Sequence, residues 1–415
     1  MKNYVIIGNS IAAVGAIEGI RSIDTEGKIT VISGEKHPAY CRPLISYYLE
    51  KKSKPENMGY RSDDFYEKNA VEVLYGKTAQ GIDADKKLIT LDDGRTIKYD
   101  KLCVATGSSP FVPRFEGWES VPKKHTFMTI DDALALEKDI DESSRVLIIG
   151  AGLIGLKCAE GIKDRVKSIT VCDLADRILS SILDEETGAI MQEHIEQNGI
   201  EFMLSDSVEK FDGNRAFMKS GKVVDFDVLV AAVGVRPNVA LAKDAGAQVA
   251  RGIIIDDHMR TTAHDIYAAG DCAESYDISF GDRRILAILP NANIQGHTAG
   301  KNMAGADESF LNAIPMNSIG LFGLHVMTAG SYFAEKDGGK VFIEKTEDGL
   351  KKFFVKDGLL TGYILLGDIK RGGIYTSLIR NQTPLETLDF ELLMKDATFA
   401  AFTADRRRQM FGGVL

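Results

Sequence analysis

The feature that most restricts the fold is a strand, glycine turn and helix pattern that occurs twice. The first copy reads "YVIIG", "NSIAAVGAIEGI" and "KITVIS", and the second reads "RVLIIGAGLIGLKCAEGI" and "SITVCD". Each copy combines apolar strands with a helical period, which is typical of a βαβ unit. The chain is therefore predicted to be an α/β protein with two Rossmann-like folds.

The two glycine turns differ in how closely they match the dinucleotide-binding pattern G-x-G-x-x-G/A. The first turn has Gly8, Ser10 and Ala13, whereas the second has the complete set Gly150, Gly152 and Gly155. Glycine at these places lets the backbone and a helix N-terminus approach a pyrophosphate. The second turn is a strong signal for a dinucleotide, and the first is weak when taken alone.

The strand after the second turn ends in Asp173, which predicts the type of nicotinamide nucleotide. A carboxylate here accepts hydrogen bonds from the adenosine ribose hydroxyls and repels a 2′-phosphate, so NADH is favoured over NADPH. Arg177 follows four residues later and leaves NADPH open as the alternative.

Composition excludes several classes of function. A chain of 415 residues with 44% hydrophobic residues and 40 glycines indicates two or three globular domains. The net charge of -10 argues against nucleic acid as the main partner. The five cysteines are scattered without a C-x-x-C motif, so no metal centre is predicted. Neither a signal peptide nor an apolar membrane span is recognised, and we expect a soluble, cytoplasmic protein.

Further motifs identify a family. The segments "YDKLCVATGSSPFVP", "AVGVRPN" and "TTAHDIYAAGDCAE" follow the glycine turns in a fixed order. With them the chain resembles the two-dinucleotide-binding-domain flavoproteins, the pyridine nucleotide–disulfide oxidoreductase superfamily. The resemblance implies a glutathione reductase-like fold, with FAD in the first Rossmann-like domain, NAD in the second, and a C-terminal α+β domain.

The resemblance also gives domain boundaries. Residues 1–116 and 246–312 would form a discontinuous FAD domain, residues 117–245 an inserted NAD domain, and residues 313–415 the third domain. In this last part, alternating residues on both sides of Asp357-Gly358 predict a hairpin.

The same resemblance assigns the cofactor-binding residues. For FAD they are Gly8, Ser10, Ala13, Glu35, Arg42, Pro43, Ala79, Thr106, Gly107, Gly270, Asp271 and Asn293, with Gln295 close by. For NAD they are Gly150, Gly152, Leu153, Ile154, Gly155, Asp173 and Gly234. Glu35 is the candidate for the FAD ribose carboxylate, and Ser33 occupies the alternative position.

Cys41 raises the question of a redox thiol. In single-cysteine relatives the thiol follows the serine of an L-S-C-G run, and here Tyr47 follows Ser46. The segment "PAYCRPLISYYL" instead resembles the P-Y-x-R-P-x-L-S segment of ferredoxin-reductase-like, rubredoxin-reductase-like and nitrite-reductase-flavin-domain proteins. Cys41 is therefore interpreted as a packing residue near the cofactor.

Lys157 and Tyr47 are the candidate catalytic residues. Many relatives place a carboxylate and a lysine at these two positions, as an ion pair beside flavin N5. A lysine near the flavin would stabilise the negative charge of its reduced form, and Tyr47 would stack on or gate the nicotinamide pocket. The alternative is that Lys157 is a surface residue paired with Glu160.

These residues predict an FAD-dependent NADH oxidoreductase that exchanges electrons with an external iron–sulfur acceptor. That acceptor would be a rubredoxin or ferredoxin, or an iron–sulfur subunit of a larger complex; a homo-oligomer is also open. The alternatives are an NADH oxidase or peroxidase, which needs the thiol that Tyr47 replaces, and an interaction protein like the apoptosis-inducing factors. The last segment of the chain contains three adjacent arginines, Arg406, Arg407 and Arg408. Apolar residues follow them in the run that ends "MFGGVL". This segment is interpreted either as a contact with an acidic partner or as a solvated terminus.

Overall fold

The computed structural model describes residues 1–332, 338–346 and 349–410, and these residues belong to two compact units. The first unit contains Met1–Ile178, Glu196–Tyr276 and Arg283–Leu311. The second contains Leu179–Ile195, Asp277–Asp282 and Asn312–Leu415. Both Rossmann-like sheets belong to the first unit, and the division into three domains stays a prediction.

The first sheet of this unit is parallel and is built around the first glycine turn. Its strands lie in the spatial order Ile266–Ala268, Lys101–Val104, Asn3–Ile7, Lys28–Ser33 and Val71–Tyr75. The interiors of the central strands are buried, as expected for a parallel sheet covered on both faces. Because the strands are parallel, the loops after their carboxyl ends meet at one edge.

The second sheet repeats this arrangement around the second glycine turn. Its parallel strands lie in the order Ile200–Met203, Ser168–Cys172, Arg145–Ile149, Val228–Ala231 and Lys124–His125. In both sheets the turn glycine donates its N–H across to the next strand, Gly8 to the Ile32 carbonyl and Gly150 to the Cys172 carbonyl, each at 2.8 Å. The chain thus contains the two related folds that its sequence predicts.

Two long helices of the first unit pack unusually closely. They are Ile11–Arg21 and Leu289–Ala304. A Cβ added at Gly296 would lie 2.0 Å from the Ala12 carbonyl oxygen, and one at Gly15 would lie 2.3 Å from that of Asn293. Glycine is required at these contacts because the two backbones touch.

Smaller antiparallel sheets complete the first unit. One meander consists of Ala79–Asp83, Leu88–Leu91 and Thr96–Lys98, and the other of Val208–Asp212, Arg215–Met218 and Val223–Asp225. A short ribbon pairs Ser108–Pro110 with Val235–Pro237. Ile253–Ile254, Ala273–Asp277 and Asp282–Arg284 form a further sheet whose last strands extend into the second unit.

The second unit contains an antiparallel sheet covered by helices. The strands lie in the order Met316–Leu321, Leu324–Gly330, Leu359–Leu366, Gly349–Lys356 and Lys340–Thr346. Asp357 and Gly358 have φ angles of 51° and 74° and form the hairpin turn that the sequence predicts. Lys352 of this sheet is buried and bonds to Asp184 at 2.6 Å and to Glu186 at 2.8 Å, which ties residues 179–195 to this unit.

The remaining helices lie between the strands along the chain or follow the last strand. They are Leu44–Leu49, Phe65–Lys68, Ile130–Asp139, Leu153–Ile162, Glu185–Gln197, Ala240–Asp244, Gly372–Arg380, Phe390–Lys395 and Ala404–Met410. Within the described ranges, no helix has the length and apolar character needed to cross a membrane.

Candidate active site

A cavity of about 330 Å³ opens at the carboxyl ends of the first sheet. Eight of the predicted FAD-binding residues line it, namely Gly8, Ser10, Glu35, Arg42, Thr106, Gly107, Gly270 and Asp271. They come from four separate segments, which the parallel sheet brings to one edge. The predicted residues thus converge on one site.

Other predicted FAD residues lie outside the cavity lining. Ala13 is buried inside its helix, Ala79 begins a meander strand, and Pro43 precedes the helix Leu44–Leu49. The backbone carbonyl of Asn293 faces Gly15 in the helix contact. Their direct contact with a cofactor remains a prediction.

The lining matches the chemistry of a flavin adenine dinucleotide. An added Cβ at Gly8 would lie 2.0 Å from the Ala105 carbonyl oxygen, so only glycine permits this close turn. Ser10 begins the helix Ile11–Arg21 without a side-chain cap, which leaves backbone N–H donors at the cavity for a pyrophosphate. Arg42 supplies positive charge, and Glu35 and Asp271 supply acceptors for hydroxyl groups.

Glu35 and Arg42 are held by a buried tyrosine that the sequence did not single out. Arg42 forms an ion pair with Glu35, and the Tyr40 hydroxyl donates to the other Glu35 oxygen at 2.7 Å. Burial raises the pKa of Tyr40 above its ordinary value, so its hydroxyl stays protonated as a donor well beyond neutral pH. The Tyr40 oxygen also accepts the N–H of Ile130 at 3.0 Å. Tyr40 thereby joins the cavity to the helix Ile130–Asp139.

Asp271 lines the same cavity. Its pKa is raised by burial, while a hydrogen bond from Ser108 and the charge of Arg42 act in the opposite direction. Gln295 is 1% exposed and accepts the N–H of Gly270 at 2.8 Å, and it donates to the Ser275 hydroxyl at 3.1 Å. This buried amide fixes the turn that presents Asp271.

The second glycine turn forms a similar frame for a nicotinamide nucleotide. A Cβ at Gly155 would lie 2.0 Å from the Gly150 carbonyl oxygen. The first turn of the helix Leu153–Ile162 therefore packs directly against the glycine turn. The two Asp173 carboxylate oxygens accept the N–H groups of Ala151 at 2.7 Å and Ala175 at 2.8 Å. A carboxylate oriented in this way keeps lone pairs for ribose hydroxyls. Gly152, Leu153 and Ile154 begin the helix beside it, and Gly234 follows the neighbouring strand with a φ of 116°.

Comparison with known proteins decides the family. The family model described as pyridine nucleotide-disulphide oxidoreductase matches residues 2–296, and the rubredoxin NAD+ reductase C-terminal domain matches residues 315–383. The chain belongs to the pyridine nucleotide-disulphide oxidoreductase family. The family description names a pyridine nucleotide, which agrees with the second glycine turn described above.

The relatives of this oxidoreductase include a complex subunit, a larger enzyme and a solved structure. The chain is 34% identical to the epsilon subunit of an NADH-dependent phenylglyoxylate dehydrogenase from Aromatoleum evansii, over 93% of both chains. It is 31% identical to a Bacillus subtilis nitrite reductase over 94% of its own length and 49% of that protein. The crystal structure of NADH:rubredoxin oxidoreductase from Clostridium acetobutylicum superposes with a TM-score of 0.77 at 27% identity, covering 93% and 96% of the two chains.

Tyr47 and Lys157 contact each other in this oxidoreductase. The Lys157 ammonium lies 4.9 Å from the centre of the Tyr47 ring, which is a cation–π distance. Lys157 also forms an ion pair with Glu160, as the alternative interpretation anticipated, but the two side chains are only 19% and 13% exposed. Neither Tyr47 nor Lys157 lines the cavity, so their catalytic role remains a prediction.

Asn238 and Met128 are cavity residues that the sequence interpretation missed. Asn238 ends the "AVGVRPN" motif, which was recognised as a family signal without a role for its asparagine. Met128 has no such signal and enters the site because its carbonyl accepts from Arg42 at 3.2 Å.

One group of side chains has the types and spacing of metal ligands. Within the described residues it consists of Asp256, Asp257 and His258. Both His258 nitrogens already face carboxylates, that of Asp257 at 2.8 Å and that of Asp307 at 3.0 Å. An acidic surface cluster of this kind is common without an ion, and we assign it no role.

Proposed function

We propose that this chain is an NADH-dependent flavoprotein reductase that passes electrons singly to an iron–sulfur protein. The observation that carries the proposal is an FAD-type cavity and an NAD-type turn in one compact unit, in a chain whose residues 315–383 match a rubredoxin NAD+ reductase domain. FAD, when bound, supplies the conversion of a two-electron hydride into single electrons. The chain's own residues hold, orient and shield the two nucleotides.

The acceptor is proposed from two relatives. One is the epsilon subunit of a multi-subunit dehydrogenase, and another is an NADH-rubredoxin oxidoreductase with 30% identity over 83% of this chain. We therefore propose a small iron–sulfur carrier or an iron–sulfur subunit as the partner. Purified chain, NADH and a panel of acceptors test this proposal: reduction of rubredoxin or ferredoxin supports it, and reduction of oxygen alone contradicts it.

Tyr47 and Lys157 are proposed to act at the face of the flavin. Their contact preserves the pairing of the two positions that form an ion pair in many relatives, but here a lysine stands at the carboxylate position and an aromatic ring at the lysine position. A lysine held by this ring and by Glu160 carries a fixed positive charge, which would favour reduced flavin. We expect Lys157→Met to lower the flavin reduction potential, and an unchanged potential in a spectroscopic redox titration would remove Lys157 from this role.

No electron is expected to pass through sulfur. Cys41 is half-buried, burial raises the pKa of its thiol, and Cys103, Cys158, Cys172 and Cys272 are buried. Cys41→Ser should retain FAD and near-normal NADH:ferricyanide activity, because a neutral thiol neither attacks a disulfide nor relays electrons. Steady-state assays with the flavin content measured in parallel check this, and lost activity with FAD still bound would assign Cys41 a redox role.

The arginines near the C-terminus are proposed to bind an acidic partner. Arg406, Arg407 and Arg408 lie on the helix Ala404–Met410, where Arg408 is exposed and bonds to Asp405 at 3.3 Å. The apolar residues Phe411, Val414 and Leu415 of the same prediction lie outside the described residues, and the side chain of Met410 is not described. Neither family model covers this helix.

Truncation after Ala404 tests the arginines. NADH should reduce FAD as before, whereas transfer to the iron–sulfur acceptor should weaken at low salt, with the loss shrinking as salt rises, because steering between charges is screened. Truncation removes the helix together with its charges. Replacing Arg406, Arg407 and Arg408 with glutamine removes the charges but keeps the helix, so the two effects can be told apart. Unchanged acceptor kinetics at low ionic strength would exclude these arginines from the interface.

A further inference from the structure

Asn238 makes four hydrogen bonds with a single turn of the flavin cavity. Its N–H donates to the Gly107 carbonyl at 2.9 Å, and its carbonyl accepts from the Thr106 hydroxyl at 2.7 Å. Its side-chain amide donates to the Thr106 carbonyl at 2.9 Å and accepts from the Ser109 hydroxyl at 2.9 Å. Thr106, Gly107 and Asn238 all line the cavity, so these bonds fix one of its walls.

The same residue directly follows the ribbon that joins the two nucleotide folds. The ribbon pairs Ser108–Pro110 with Val235–Pro237, and the Phe111 N–H donates to the Gly234 carbonyl at 2.9 Å. The Arg236 guanidinium lies 3.8 Å from the centre of the Phe111 ring, which braces the ribbon further. Three residues per strand span only about 10 Å. The ribbon is thus a short, stiff link from Gly234 of the second fold to the cavity of the first.

We infer that Asn238 is a positioning residue, whose side-chain amide holds the Thr106-Gly107 turn in place for FAD and keeps the two nucleotide sites in register. Part of the inference, the effect on electron transfer, rests on the proposed function. Hydride transfer requires the donor carbon and the acceptor nitrogen to lie about 3 to 3.5 Å apart. Because a misplacement of about 1 Å costs on the order of a hundredfold in rate, a residue that fixes the link between the sites affects the reaction without touching the reacting atoms.

The amide N–H toward the Thr106 carbonyl is the bond to test, because the backbone bonds of Asn238 survive any substitution of its side chain. Asn238→Asp has the same shape, but its ionised carboxylate has no donor and repels the Thr106 carbonyl. When protonated, the same carboxyl can donate an O–H to that carbonyl. Asn238→Ala removes the bond at every pH. Asn381→Asp is the matched control, since it makes the same chemical change outside the cavity, where the exposed Asn381 amide donates to the Ser377 hydroxyl at 3.0 Å.

Two measurements across a pH series decide the question. The first is the dissociation constant of FAD for the apoprotein. For Asn238→Asp we expect this dissociation constant to rise about tenfold at high pH and to return toward the wild-type value as the pH falls. The reason is that a buried carbonyl left without a hydrogen-bond donor weakens binding by about a factor of ten. Asn238→Ala should bind weakly throughout, and Asn381→Asp should follow the wild type. A pH-independent affinity of Asn238→Asp equal to that of the wild type would overturn the inference.

The second measurement is the stopped-flow rate of flavin reduction at saturating FAD and NADH. We expect Asn238→Asp to be slowed about ten- to a hundredfold at high pH and to recover on acidification, while Asn238→Ala stays slow. Wild-type rates for both variants at saturating FAD would remove Asn238 from the alignment of the two sites. If NADH failed to reduce flavin even in the wild type, the proposed function would be wrong, whereas the FAD-binding series would still decide the role of Asn238.

Discussion

Gly8→Ala should yield a chain that no longer retains FAD. A Cβ at Gly8 would lie 2.0 Å from the Ala105 carbonyl oxygen, and the φ of 110° is strained for any L side chain. The Ala105 strand end cannot retreat, because Ala105 donates its N–H to the Ile7 carbonyl at 2.8 Å within the parallel sheet. The first turn would therefore rearrange and take the helix N-terminus away from the pyrophosphate position. The absorbance of bound flavin after gel filtration measures the loss.

Gly94→Ala provides the control for backbone strain. Gly94 also has a positive φ, 82°, but nothing lies within 4 Å of an added Cβ, and the residue does not line the cavity. Its substitution should cost only about 1 to 2 kcal/mol of stability and leave the flavin content unchanged. Full FAD binding by Gly8→Ala would show that the first turn is not the pyrophosphate site.

The second large effect concerns the choice between NADH and NADPH. We expect the wild type to prefer NADH at least about tenfold in kcat/KM, which corresponds to about 1.4 kcal/mol. Asp173→Ala should relax this preference, mainly through faster reaction with NADPH, because it removes the charge that repels a 2′-phosphate. Asp173→Asn does the same while it keeps an oxygen for the Ala151 N–H.

Asp212→Asn is the matched control for charge, since Asp212 is exposed and pairs with Arg215 at 2.8 Å, away from the predicted nucleotide residues. It should leave the preference unchanged, because long-range repulsion between exposed charges is screened by salt. Equal kcat/KM values with NADH and NADPH in the wild type would refute the assignment of Asp173.

The sequence predicted those structural features whose geometry depends on the residues of a single short segment. A glycine turn between a strand and a helix specifies its own geometry, and Gly8 and Gly150 indeed adopt similar φ angles of 110° and 113°. The hairpin at Asp357-Gly358 is another such case, because the turn residues alone set it.

Contacts between distant segments were not predictable in this way. The bond from Asn238 to Thr106 spans 132 positions, and the contact of Lys157 with Tyr47 joins two helices. The sequence shows Lys352 only as a residue of a predicted strand. In the structure its ion pairs with Asp184 and Glu186 attach residues 179–195 to the C-terminal sheet. Such pairs depend on how the elements pack, which side-chain periodicity does not specify.

The most direct test of the central claim is an anaerobic NADH titration of the FAD-loaded chain, followed by mixing with oxidised rubredoxin in a stopped-flow instrument. We predict that one NADH per FAD completes the reduction, because no thiol takes a second electron pair. The reduced flavin should then reduce two rubredoxins per NADH consumed, since a hydride carries two electrons. A requirement for a second NADH equivalent, or reoxidation by oxygen but not by rubredoxin, would contradict the account.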